Sequence, residues 1–221
     1  MTERTIQTST HGRYLVVPPS PPGPSPVLVG FHGYAELADV QLDRMRRIDG
    51  ASNWLLVSIQ GLNRFYQRRT NEVVAGWMTR QHRELAIEDN IRYVASVIDE
   101  VRREWQTTPM VVYAGFSQGV AMAFRAAALV PGTANAVIAV GGDVPPELDP
   151  AALARVGRVL LCHGQTDPWH TGEIFENDRR RLDDAGVKVQ ALEFDGGHEW
   201  SAGVLDAAAT FLAALLHDVS T

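Results

Sequence analysis

The chain has a single cysteine, Cys162, among 221 residues. No intramolecular disulfide can form, and such sparse thiol usage points to a reducing compartment. A basic excess is also missing: 20 Lys and Arg stand against 26 Asp and Glu, a formal net charge of −6. Nucleic-acid-binding domains ordinarily carry the opposite balance, so no nucleic-acid partner is expected. The longest apolar runs, such as Ala207–Ala209 with Phe211–Leu216, fall short of the roughly 20 residues that span a bilayer. The N-terminus, MTERTIQTST, is polar and lacks the apolar stretch of a secretory signal. The histidines and the lone cysteine lack metal-ligand spacing, so neither a metal nor a cofactor is expected. What remains is a cytoplasmic protein, monomer or homodimer.

Hydrophobic residues make up 45% of the chain and charged residues 21%, an ordinary globular balance. At about 150 residues per domain, the length reads as one domain over 1–221. The segment from Pro18 to Pro26 holds six prolines and reads as a loop, because proline fixes φ and removes a backbone donor. Short apolar runs follow a strand pattern at Tyr14–Val17, Val27–Phe31, Trp54–Ile59, Met110–Ala114, Ala136–Val140, Val159–Cys162 and Lys188–Phe194. Between them lie helical patterns at Glu84–Trp105, Gln118–Val130, Ile174–Ala185 and Ser201–Leu216. This alternation predicts an α/β fold, a mostly parallel sheet with helices on both faces, and the chain length leaves no room beside it for a large cap domain. One connection, Gly61 to Arg83, is too long for a turn. It carries Phe65, Tyr66 and Trp77 with five arginines, and loops of that length in compact domains are often functional.

Gly115-Phe116-Ser117-Gln118-Gly119 matches G-x-S-x-G, between an apolar strand run and a helix-forming run. That is the setting of a nucleophile elbow, where glycines relieve a tight turn and the serine oxygen is pushed into a cleft. Serine needs a base, and the base and its acid are expected downstream. His198, after the last strand in Gly196-Gly197-His198, is the histidine in the right place. The acid that orients it is Asp167, just past a strand, with Asp143 as the rival. The oxyanion requires two donors. The backbone N–H of Gln118, at a helix N-terminus, and that of Tyr34, in Phe31-His32-Gly33-Tyr34, are the candidates. His32 reads as a hydrogen-bonded structural residue. Phe65, Tyr66, Trp77, Met78, Trp169 and Trp200 are the candidate walls of a substrate pocket.

The order HGY, GFSQG, HGQTDP, GGHEW resembles the α/β-hydrolase superfamily. The small size and GFSQG itself are similar to the phospholipase/carboxylesterase group, which includes acyl-protein thioesterases and small bacterial carboxylesterases. The resemblance runs from about Tyr14 to Leu216. It implies Ser117 as nucleophile, Asp167 as acid, His198 as base, and Tyr34 and Gln118 as oxyanion donors. The implied reaction is hydrolysis of a small ester or thioester through an acyl-enzyme. Two departures bear on substrate rather than on the triad. Ala35 stands where the group often has a second glycine, and Ala75-Gly76-Trp77-Met78-Thr79 lacks the acidic residue common there. A serine peptidase or amidase, or a non-catalytic binding protein of the same shape, remains open at this point.

Overall fold

A computed structural model describes residues 1–132 and 135–219. Seven strands form the central sheet in the order β1-β3-β2-β6-β7-β8-β9. They are β1 (Tyr14–Val17), β2 (Ser25–Phe31), β3 (Leu55–Ile59), β6 (Thr107–Phe116), β7 (Ala136–Val140), β8 (Arg158–Gly164) and β9 (Lys188–Phe194). Every pairing is parallel except that of edge strand β1 with β3. The central strands are fully buried and dominated by Val, Leu, Ile and Ala because both faces are covered.

Two apolar layers flank the sheet. One buries Val29, Val57, Val111 and Tyr113 under α2 (Arg83–Glu104), α3 (Gln118–Leu129) and α5 (Gly172–Asp184). The other buries Leu28, Leu56, Val112 and Ile138 under α1 (Ala38–Arg46) and α6 (Ala202–Val219). The four helices and seven sheet strands expected from sequence are all present. Helix α1 was not foreseen. Its buried face, Ala38, Gln41, Leu42 and Met45, has helical spacing, but it is only nine residues long and includes a polar glutamine. A further short helix, α4 (Pro150–Leu153), is capped by Asp149, whose side chain accepts the Ala152 N–H.

The long connection holds a two-stranded hairpin, β4 (Asn63–Tyr66) and β5 (Val73–Gly76). Its base is fastened to the body of the fold. The Ala35 N–H donates to the Ala75 carbonyl, and the Ala75 N–H donates to that of Glu36. The Trp77 indole donates to the His32 carbonyl at 2.8 Å, and Asn90 Nδ2 donates to the Trp77 carbonyl. No described helix is long and apolar enough to cross a membrane.

Candidate active site

Strand β6 runs into α3 through Ser117, whose φ of 52° and ψ of −121° lie outside the ordinary wells for a non-glycine residue. The turn is this tight because α3 presses against β2. A Cβ on Gly119 would lie 2.1 Å from the Phe31 carbonyl oxygen, so only glycine fits. Strain of this kind is retained where the surroundings over-determine it, typically at reactive residues. The Ser117 N–H donates to the Val140 carbonyl, which anchors the elbow to β7.

Asp167 and His198 come from the loops after β8 and β9. His198 Nδ1 lies 2.7 Å from Asp167 Oδ2. The other carboxylate oxygen accepts the backbone N–H groups of Trp169 and His170, at 2.9 and 3.1 Å. Burial pushes the Asp167 carboxyl up, but the His198 hydrogen bond, the two backbone donors and the imidazole's charge outweigh it and hold the group below the usual carboxylate range. The imidazole is gripped between Phe116, 4.9 Å between ring centroids, and the edge of Trp169, 4.7 Å. Beneath the pair lies Gly141, with φ +62°; a Cβ there would come 3.2 Å from His198 Nδ1 and 3.3 Å from Asp167 Oδ2. Asp143 is not bonded to this imidazole. It borders a smaller cavity that Ser117 and His198 also line.

Ser117 and His198 together line two cavities, of about 790 and 280 Å³. The larger is walled by Tyr34, Phe116, Trp169 and Trp200, and Arg44, Arg47 and Glu199 add charge to its lining. Tyr34 is exposed and stacks on Phe65 at 5.4 Å. Of the six aromatic and methionine residues expected to shape the pocket, Trp169 and Trp200 border this cavity, and Phe65 is linked to it through Tyr34. Tyr66 stands exposed on the hairpin. Trp77 is a correction: it is fully buried, packed edge-on against Phe31, with its N–H committed to His32. Met78 likewise packs against the core, its sulfur beside Arg125.

The loop carrying Tyr34 is held from several sides. His32 is fully buried; its Nδ1 lies 2.7 Å from the Gly33 carbonyl and its Nε2 accepts the Gly61 N–H at 2.9 Å. Those two bonds require the neutral tautomer protonated on Nδ1, and burial holds the His32 pKa below its usual value. The Gly33 N–H donates to Glu36 Oε2 at 2.8 Å, and Arg44 forks onto both Glu36 oxygens at 2.6 and 2.7 Å while its guanidinium covers the Phe116 ring at 4.1 Å. Burial disfavours the Glu36 carboxylate, but the Arg44 and Gly33 hydrogen bonds prevail and lower its pKa. On the other side, the Gln118 side chain accepts the Trp77 N–H and donates to the Met78 carbonyl. Glu36, Arg44 and this clamp by the Gln118 side chain escaped sequence reasoning, because they act through partners that only the fold brings together. The one available signal was the placement of Glu36 directly after the HGY loop.

Asp143, His170 and Asp178 form a second polar cluster, their potential ligand atoms all within 4.8 Å of one another. Sequence spacing gave no hint of it.

The profile of the phospholipase/carboxylesterase family matches residues 71–216. No curated protein sequence matches the chain. Among solved structures, esterase PE8 is similar with a TM-score of 0.76 and 20% identity, over 93% of this chain and 99% of that one. The Bacillus cereus carboxylesterase is similar with a TM-score of 0.72 and 18% identity, over 92% and 94%. The Zea mays acyl-protein thioesterase 2 gives a TM-score of 0.72 and 18% identity, over 92% and 99%. At these identities the structures speak for the fold, an α/β-hydrolase sheet, while the profile covers most of the chain: the protein belongs to the phospholipase/carboxylesterase family of α/β-hydrolases.

Proposed function

We propose that the protein hydrolyses a small carboxylic ester or thioester through an acyl-enzyme, with Ser117 as nucleophile, His198 as base and Asp167 as orienting acid. The observation that carries this reading is the 2.7 Å bond from Asp167 to His198, with that imidazole lining the same cavities as a strained elbow serine. Ser117 Oγ attacks the acyl carbon and His198 Nε2 takes its proton. The alcohol or thiol leaves with that proton, and a water activated by the same nitrogen releases the acid. Asp167 stays ionised throughout and stabilises the imidazolium. The developing oxyanion is received by the N–H groups of Gln118, at the first turn of α3, and of Tyr34. The neighbouring Gly33 and Ala35 N–H groups are committed to Glu36 and Ala75, which supports leaving Tyr34 N–H for the substrate. Trp169, Trp200 and Phe65 are the wall residues of choice for an apolar acyl group.

The test is labelling by a fluorophosphonate probe together with turnover of short p-nitrophenyl esters. Wild type is expected to label and turn over, and Ser117→Ala to lose kcat/KM by about 10⁴–10⁶-fold. A folded wild-type protein that does not label overturns the reading. Amide turnover exceeding ester turnover redirects it to a peptidase.

A further inference from the structure

The cluster of Asp143, His170 and Asp178 is not used by the proposed hydrolysis. Asp143 follows β7, His170 lies in the loop after β8, and Asp178 is on α5. His170 is 1% exposed and Asp178 2% exposed. Both ring nitrogens of His170 are buried without a hydrogen-bond partner; its Nε2 lies 3.9 Å from Asp178 Oδ2. Buried polar atoms are almost always satisfied, so an orphaned imidazole with a ring nitrogen set among carboxylates calls for an occupant. Two carboxylates and one imidazole supply the oxygen and nitrogen donors that divalent transition cations prefer.

Access and support are both present. Asp143 and His170 border the 280 Å³ cavity that also touches Ser117 and His198, so an ion can enter and keep an open position toward solvent. Asp178 Oδ2 is oriented by the Val144 N–H at 2.8 Å. Opposing charge is modest: Arg181 lies 3.6 Å from Asp178 Oδ1, but its guanidinium donates to the carbonyls of Val144, Pro145 and Leu148. A tetrahedral zinc with bonds of about 2.0–2.2 Å brings its ligand atoms to about 3.3–3.6 Å of one another. The cluster reaches that by a side-chain adjustment of about 1 Å, most easily in Asp143, its exposed member.

We propose that Asp143, His170 and Asp178 form a binding site for a divalent transition cation of the Zn²⁺ class, beside the serine elbow and separate from its chemistry. Through the His170 N–H, which donates to Asp167 Oδ1, occupancy is linked mechanically to the residue that orients His198. The site stands whether or not the hydrolase reading does.

Isothermal titration of the chelator-treated full chain with Zn²⁺ tests this. Wild type and Ser117→Ala are expected to bind one equivalent with equal affinity and to gain Tm with Zn²⁺. Asp143→Asn, at an exposed position, is expected to weaken binding by at least about 10-fold and His170→Gln by about 100-fold. No binding up to about 1 mM Zn²⁺ overturns the site and leaves His170 as a residue held between carboxylates. Binding undiminished in Asp143→Asn also overturns it, because the ion then resides elsewhere.

Discussion

Gly141→Ala isolates the geometric demand of the Asp167–His198 pair from backbone strain. The new methyl group would lie 3.2 Å from His198 Nδ1, 3.3 Å from its Cε1 and 3.3 Å from Asp167 Oδ2. Ordinary contacts begin near 3.4 Å, so the ring and carboxylate must yield by a few tenths of an ångström. A 1 Å misplacement of a reacting group can cost about 100-fold in rate. A shift of that smaller size predicts a loss of about 3–10-fold in kcat. The residue also adopts φ +62°, which costs a non-glycine residue about 1–2 kcal/mol. Gly50→Ala is the control, with φ +77° and nothing within 4 Å of an added Cβ. Urea denaturation should show both variants destabilised by about 1–2 kcal/mol, while p-nitrophenyl acetate turnover falls only in Gly141→Ala. Equal, undiminished turnover in the two variants refutes the argument that this glycine seats the Asp167–His198 pair for the proposed reaction.

Glu36→Gln leaves the Arg44 guanidinium without its carboxylate and loosens the Gly33–Tyr34 loop; we expect about 1–3 kcal/mol lost in chemical denaturation and about 10-fold lower kcat with a smaller change in KM. An unchanged kcat would separate the ion pair from the role proposed for the Gly33–Tyr34 loop. Gln118→Ala removes the clamp on Trp77 and Met78 while keeping the backbone N–H, so stability should fall by about 1–2 kcal/mol and activity toward the smallest esters should be nearly retained. His32 has a folded-state pKa below its unfolded value, so the unfolded chain takes up the proton first. Its stabilising share is therefore complete above the unfolded pKa, near 6.5, and is lost as pH falls from there toward the depressed folded value. His163, also lowered by burial and by His170, adds to the same slope. Denaturation midpoints measured from pH 7 to 5 should decline less steeply in His32→Gln than in wild type.

The sheet was legible because most of its strands are short runs rich in Val, Leu, Ile and Ala, and the long helices because their apolar stripes repeat over many turns. The roles proposed for Ser117, Asp167 and His198 came from sequence because each lies in the turn that follows a strand, Ser117 directly after β6, Asp167 three residues past β8 and His198 four residues past β9. The wall residues were harder. An aromatic in a long connection can face a cleft or fill the core, and Trp77 and Trp169 look alike in sequence. The fold decides between them: Trp77 follows the hairpin's inner strand beneath the HGY loop, whereas Trp169 lies beside Asp167 and reaches over His198. The Asp143, His170 and Asp178 cluster was invisible for another reason, since the connections after β7 and β8 meet helix α5 there and no short spacing records it.

The hairpin formed by β4 and β5 divides the molecule's substrate side into two parts with different freedom to change. Its base is bonded to Glu36, Ala35, His32 and Gln118, so alterations there propagate into the Tyr34 loop and the turn that carries Ser117. Its outer turn, around Gln67 to Glu72, closes on itself through the Gln67 N–H to Glu72 and the Asn71 N–H to Gln67. That turn can be lengthened, shortened or recharged without disturbing anything beneath it. It is the natural place to graft new selectivity onto an otherwise unaltered hydrolase body.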